Sequence, residues 1–212
     1  MAIAEVFADL ESQGWSRFSS GETVLQQVID QLGFTIMEND VSLDNDSRSL
    51  VRSTNSLPPH TDHHLAHYIL WHCIRPDGEG GHSIIVDGLQ IFHSMSEDDK
   101  KLLNSIDLME HCVFKDDLQH HPMISNNENG LRIYYSFWMA DENLSREQKD
   151  AFETYNARVR ETTPIKFRLD PDECLIVDNG RILHGRTSLS TDSDRLLKRY
   201  WIGDKELETL EE

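Results

Sequence analysis

His60, Asp62 and His184 are the side chains whose types and spacing could hold a reactive metal ion. In Leu57-Pro58-Pro59-His60-Thr61-Asp62 an imidazole and a carboxylate stand two residues apart. In a β-strand, residues two apart point to the same face, so the two would project together. A third ligand is needed. The best candidate is His184, in Asp178-Asn179-Gly180-Arg181-Ile182-Leu183-His184-Gly185-Arg186, at the end of a short strand that follows a tight turn. Two imidazoles and one carboxylate on one face of an octahedron leave three positions open, an arrangement suited to Fe(II) and O2 chemistry. A 2-oxo acid could chelate two of those positions and O2 could take the third. The His-x-Asp pattern alone is unspecific: with eleven histidines in the chain, His60 to His67 (HTDHHLAH) also reads as an incidental surface cluster.

The surrounding residues narrow the choice. His60-Thr61-Asp62 is followed by Trp71-His72-Cys73, then by Gly80-Gly81-His82-Ser83-Ile84-Ile85-Val86-Asp87-Gly88. Asp178-Asn179-x-Arg181-x-x-His184-Gly185-Arg186 and Arg195 come later. In this ordered set, over residues 57–202, the chain resembles the taurine dioxygenase and gamma-butyrobetaine hydroxylase superfamily of Fe(II)/2-oxoglutarate oxygenases. The resemblance implies that His60, Asp62 and His184 are iron ligands. It implies that Arg195, eleven residues after His184, pairs with the far carboxylate of 2-oxoglutarate, and that the Ser83 hydroxyl contacts the same cosubstrate. The implied reaction is oxidation, most often hydroxylation, of an unactivated C–H of a small polar metabolite such as an amino acid or amine derivative. 2-Oxoglutarate and O2 become succinate and CO2. Asp62 argues against a halogenase, since related halogenases replace that carboxylate with a small residue.

Physical chemistry gives Arg195 independent weight. An unpaired cation inside a barrel is costly, and a carboxylate meeting a planar guanidinium relieves that cost. Arg195 and Arg199 share a strand face with Leu197, while Lys198 points the other way. Arg199 then faces either a substrate anion or a structural acid. Arg186 is a third candidate at the cosubstrate end. By strand alternation His64 shares the face of His60 and Asp62 and is a candidate substrate contact, whereas His63 lies opposite. Tyr135 belongs to the aromatic stretch Leu131 to Trp138, which reads as core packing or as a substrate wall.

The elements that must position these residues are mostly short strands. Strand candidates are Gly33 to Ile36, Tyr68 to Ile74, His82 to Val86, Asp107 to Phe114, Pro122 to Ser125, Leu131 to Phe137, Ile165 to Leu169, Glu173 to Val177, Arg181 to His184 and Arg195 to Ile202. Asn126 to Gly130 and Asp178-Asn179-Gly180 read as hairpin turns. Ile3 to Leu10 and Thr23 to Leu32 read as amphipathic helices, and Asp87 to Met95 begins another. Ser96 can cap the helix carrying Leu102 and Leu103, and Ser145 with Gln148 forms a capping box for a helix to about Arg160. Residues 38–56 are polar and weakly periodic and read as a loop. The pattern predicts a mainly β fold with flanking helices, a double-stranded β-helix (jelly roll, cupin-like barrel). One domain over 1–212 is expected: N-terminal helices and loop over 1–56, a jelly-roll core over 57–202, and an acidic, frayed tail over 203–212. Little sequence precedes His60, so residues 38–56 or a partner subunit would have to cover the site.

Bulk properties exclude several classes. The formal charge is −18, which opposes nucleic-acid binding and anionic membrane surfaces, both of which need clustered Lys and Arg. No apolar run reaches the ~18–20 residues of a membrane span, and the N-terminus lacks the pattern of a signal peptide. Three scattered cysteines, Cys73, Cys112 and Cys174, suit buried free thiols in a reducing, cytoplasmic compartment. Two other classes stay open: a cupin-like metalloenzyme that does not use 2-oxoglutarate, and a non-catalytic small-molecule-binding barrel. Oligomeric state is open as well.

Overall fold

Two antiparallel sheets carry the candidate residues in the computed structural model, which describes residues 2–19, 21–44, 49–109, 112–115, 117, 120–127, 130–140 and 143–209. The larger sheet runs in the order β1 (Trp15–Ser19), β11 (Glu173–Asp178), β4 (Tyr68–Arg75), β13 (Leu196–Gly203), β2 (Phe34–Ser42). The smaller runs β10 (Ile165–Phe167), β5 (Ser83–Asp87), β12 (Ile182–Arg186), β3 (Leu57–His60). Two outlying pairs join β6 (Asp107–Met109) to β7 (His120–Pro122) and β8 (Ile124–Asn127) to β9 (Gly130–Ile133).

Period-two alternation sorts the side chains into layers. Leu175 and Val177 of β11 join Ile69, Cys73, Leu197 and Trp201, and Ile85 and Ile182 of the smaller sheet, in one buried cluster. Cys174 and Ile176 face the other way, onto helices α1 (Ile3–Gln13) and α2 (Glu22–Leu32), through Val6, Leu10, Val28 and Ile29. Both faces of β11 are therefore covered, which is why it reads as a continuous apolar run. Helices α3 (Gly88–His93), α4 (Glu97–Leu103) and α5 (Arg146–Glu161) bury the outside of the smaller sheet with Val86, Leu183, Tyr135, Phe152 and Tyr155. Emptying the fully buried Tyr155 site would cost about 3–5 kcal/mol, as for other large aromatic deletions.

Local signals set most helix ends. Ser145 accepts from Gln148 N while the Gln148 side chain accepts from Ser145 N. Ser96 and Asp87 cap α4 and α3 in the same way. Helix α1 stops at Gly14, whose φ of 81° suits glycine. A Cβ there would also come within 2.9 Å of Arg181 and Ile182.

Several expectations are corrected. Residues 38–42 are the second half of β2, not loop. They pair residue by residue with β13, and their polar side chains reflect an edge strand with one wet face. Strand β1 went unread, although Ser16 and Phe18 are buried and alternate with more exposed neighbours. Asp178-Asn179-Gly180 is not a hairpin turn, because β11 and β12 belong to different sheets. Pairing ends at Ile133 in the aromatic stretch and at Met109 in the Asp107 segment, and Pro122 to Ser125 is split between β7 and β8. Part of the Asn126 to Gly130 turn, residues 128–129, lies outside the described residues, as do 110–111 and 210–212. Residues 204–209 are not simply frayed: Lys115 N donates to Glu208 O at 2.9 Å and Phe114 bridges Thr209. Cys73 and Cys174 are buried, Cys112 is exposed, and all three are free. Among the described residues no helix is long and apolar enough to cross a membrane.

Candidate functional site

Strand pairing brings the two distant histidines together. His184 of β12 sits directly opposite His60 at the end of β3, with ring centroids 4.6 Å apart. The chain then leaves the strand, so alternation does not place Asp62. A clamp does. Thr61 N donates to Tyr135 O at 2.8 Å, and Tyr135 N donates to Thr61 Oγ1 at 2.9 Å. Asp62 N donates to Asn179 Oδ1 at 2.8 Å. Asn179 Nδ2 in turn donates to the carbonyls of Asp62, His63 and Ala66 at 3.2, 3.1 and 2.8 Å. Asn179 is buried, and the turn from Asp62 to Ala66 is built around its amide.

The result is a convergent donor set. Asp62 Oδ1 lies 3.7 Å from His60 Nε2 and 3.6 Å from His184 Nε2. The three ligand atoms fall within 4.8 Å of one another, and all three residues are buried. His60 Nδ1 lies 2.9 Å from Pro58 O, so it carries the proton and leaves Nε2 free to coordinate. Burial pushes the His184 imidazole down to about 4, against the raising effect of Asp62, so its lone pair is available at neutral pH. Burial alone would raise the Asp62 carboxyl. The Arg199 charge and the contacts with His184 and His60 outweigh it and hold Asp62 well below the usual carboxylate range. Two imidazole nitrogens and an ionised carboxylate, on one side of an open space, fit a divalent first-row metal with vacant positions.

That space is a cavity lined by His60, His184, Trp71, Ser83, Arg195, Leu197 and Arg199 among others. Arg195 is only 6 % exposed, and no described residue accepts a hydrogen bond from its guanidinium. Burial, and then the neighbouring Arg186 charge, lower it to about 10. It therefore stays cationic at neutral pH and lines the cavity with no hydrogen-bonded anion among the described residues, Asp77 opposing its charge from a distance. Gly81, at φ 65°, leaves room for it: a Cβ there would meet the Arg195 side chain at 3.0 Å and Leu189 at 2.8 Å. Ser83 is buried beside Arg195 and lines the same cavity.

The remaining expected residues fall elsewhere. Arg199 meets an acid, and that acid is Asp62: Nη1 donates to Asp62 Oδ2 at 2.9 Å and Nε donates to Asn39 Oδ1 at 3.1 Å. Arg186 lines the cavity, but its terminal nitrogens are committed to main-chain carbonyls. His64 is not in the metal cavity. It stacks between His63 and His121, with centroids 4.7 and 4.0 Å away, in a separate cleft, because the strand geometry that would have turned it inward ends at His60. Tyr135 is core, not substrate wall: its hydroxyl donates to Asn156 Oδ1 at 2.8 Å and its ring packs on Phe152 and Tyr155. Four residues that the sequence reading gives no role at the site border it. Asn179 enters that reading as turn material and as one position of the family's motif. Trp201 donates to Asp62 Oδ2 at 2.8 Å. Trp71 packs edge-on against His184 at 4.7 Å, and Trp138, 41 % exposed, lies 5.3 Å from His60. No local pattern marks any of the three tryptophans as a neighbour of the centre.

The profile of the Taurine catabolism dioxygenase TauD, TfdA family matches residues 26–201. The chain belongs to this family. Among TauD/TfdA-related proteins, the gamma-butyrobetaine dioxygenase of Homo sapiens is 26 % identical over 174 residues, covering 70 % of this chain and 44 % of that protein. The Pongo abelii gamma-butyrobetaine dioxygenase matches to the same extent. The chain thus spans less than half the length of these relatives. An asparagine oxygenase solved with Fe(II), 2S,3S-3-hydroxyasparagine and succinate superposes with a TM-score of 0.75 at 15 % identity, covering 95 % of this chain and 78 % of that one. The non-heme iron oxygenase OrfP, with Fe and alpha-ketoglutaric acid, gives 0.72 at 15 % identity, covering 96 % and 78 %. At such identities the likeness is one of fold.

Proposed function

We propose that this TauD/TfdA-family chain is a single-domain Fe(II)- and 2-oxoglutarate-dependent dioxygenase. In this reading its two main sheets form a double-stranded β-helix. It would hydroxylate an unactivated C–H of a small, amino-acid-like metabolite. The observation that carries the reading is one cavity lined by His60 and His184 of the His60–Asp62–His184 donor set and by a buried Arg195 with no hydrogen-bond acceptor among the described residues. A metal site alone would suit many reactions. A buried cation on the same cavity asks for a small anion that reaches the metal.

His60, Asp62 and His184 would hold the iron. Arg195 would pair with the far carboxylate of 2-oxoglutarate, and the Ser83 hydroxyl would donate to it. Leu57, Leu175 and Leu197 line the cavity and would exclude water from the chelate. The bound iron supplies O2 activation: substrate C–H, 2-oxoglutarate and O2 give substrate C–OH, succinate and CO2. Hydroxyasparagine in the asparagine oxygenase complex, and hydroxy-L-Arg in OrfP complexes, support an amino-acid-like substrate here. The free cysteines suit a reducing, cytoplasmic compartment.

Anaerobic titration of the protein with Fe(II) and 2-oxoglutarate tests this. A weak visible charge-transfer band, absent in His184→Ala, is expected. No band in folded, iron-loaded protein would overturn the reading and favour a cupin-like enzyme of another kind.

A further inference from the structure

Arg186 stands two residues after His184, in the same strand, yet its guanidinium is turned to another task. Nη1 donates to Asn55 O and, at 3.2 Å, to Thr187 O. Nη2 donates to Leu50 O at 3.1 Å, to Val51 O at 3.3 Å, and to Ser53 O. Five main-chain carbonyls converge on one buried side chain, and four of them belong to residues 50–55. Besides Arg186, the segment is held by the Val51 side chain, which packs on the core, and by an Arg52–Asp44 ion pair at 3.4 Å. Leu50–Arg52 is a single 3-10 turn with no buried residue. Leu189 N donates to Thr54 O, and Asp44 N donates to Arg52 O, each at 2.9 Å. No strand ladder includes residues 50–55. Even so, Val51 forms part of the wall of the metal cavity, together with Val41 and Arg199.

We infer that Arg186 is a positioning residue that builds the roof of the active-site cavity by strapping residues 50–55 across it. The inference rests on the oxygenase reading for what the cavity holds. The carbonyls of Val51, Ser53 and Asn55 take part in no helix or strand ladder, and Leu50 O, which already accepts from Ser53 N, has a second lone pair to offer. The two terminal nitrogens of a guanidinium offer four N–H donors in a fixed plane, and here they are shared among the five carbonyls while Nε takes no part. A lysine ammonium offers three on a point and cannot span the same set. Gly185 lets β3 lie close against β12: a Cβ there would meet Leu57 O at 2.3 Å, so the strand that follows residues 50–55 could not approach. His184 and the roof are thereby tied to one short strand. A roof closed over the chelate keeps water out and slows cosubstrate loss.

The test compares the full-length protein with Arg186→Lys and Arg186→Gln under anaerobic Fe(II). Hydrogen–deuterium exchange of residues 50–56 is read beside the 2-oxoglutarate dissociation constant, taken from the charge-transfer band. Both variants should exchange at least tenfold faster at 50–56 and bind 2-oxoglutarate at least tenfold more weakly. Fe(II) affinity and exchange in β3 and β12 should stay within about twofold. Unchanged exchange at 50–56, or unchanged 2-oxoglutarate affinity with a loosened segment, overturns the inference. So does Arg186→Lys behaving as wild type, which would mean that charge alone matters. If the variants fail to fold, the wild-type protein decides: 2-oxoglutarate should slow exchange at 50–56 several-fold, and no slowing overturns the roof. Failure of the oxygenase reading looks different, since the wild-type protein would then give no charge-transfer band at all.

Discussion

Trp201 Nε1 donates to Asp62 Oδ2 at 2.8 Å, on the same oxygen that accepts from Arg199 at 2.9 Å. The other oxygen, Oδ1, is left facing His60 and His184. The carboxylate can therefore offer a metal one oxygen while two donors restrain its second. Outer partners of this kind typically govern 10–100-fold in metal affinity. Trp201→Phe keeps the ring that stacks 5.8 Å from His63 but removes the N–H. Fe(II) or Co(II) affinity should fall about tenfold, with the melting temperature nearly unchanged. Wild-type affinity in an anaerobic titration would count against this role.

Asn179→Ala removes the one acceptor and three donated contacts that shape the turn from Asp62 to Ala66. Buried carbonyls and an N–H would be left unpaired, and a loss of about 3 kcal/mol is expected. Asn179→Asp keeps the acceptor but sets a carboxylate against three carbonyls, so it should be at least as harmful. Urea unfolding of the metal-free protein measures both. A cost below about 1 kcal/mol for Asn179→Ala would show that the turn holds itself.

Arg195 is a buried cation whose guanidinium meets no hydrogen-bond acceptor among the described residues, and Asp77 acts on it only through its charge. An apolar replacement of similar length should then relieve the metal-free fold while it removes the proposed cosubstrate contact. Arg195→Met is expected to raise stability by roughly 1–2 kcal/mol, following the behaviour of buried charges replaced by apolar side chains. It should raise the 2-oxoglutarate requirement by orders of magnitude. Opposite signs for stability and binding are the signature, and a variant that loses both would refute it.

Acid should destabilise the metal-free protein in a defined window. His184 titrates near 6.5 when unfolded and is pushed down to about 4 by burial when folded. Between those values the unfolded chain binds the extra proton, so stability rises with pH. The contribution is fully present above 6.5 and is lost as pH falls toward 4. Asp62, also depressed, adds a loss at still lower pH. Urea midpoints at pH 7.5, 6 and 5 should decline for wild type and decline less for His184→Phe. Equal slopes would mean that other groups carry the effect.

Signals that act over a few residues were legible in the sequence. The capping pairs Ser145–Gln148 and Ser96–Asp99 and the apolar face of α5 depend only on local geometry. The identities of His60, Asp62 and His184 were legible too, because metal chemistry accepts few side chains. Their placement was not. Alternation put His64 inward and implied that Asp62 followed the strand, but the strand stops at His60 and Asn179, 117 residues from Asp62 in sequence, sets the turn. Tyr135 went to the core, Arg186 to the carbonyls of residues 50–55, and Asp178-Asn179-Gly180 to a crossing between sheets. Periodicity reports which side of an element is wet. It carries no information about which distant backbone will need a donor, and that need, met only when the chain is packed, decided the second layer of this site.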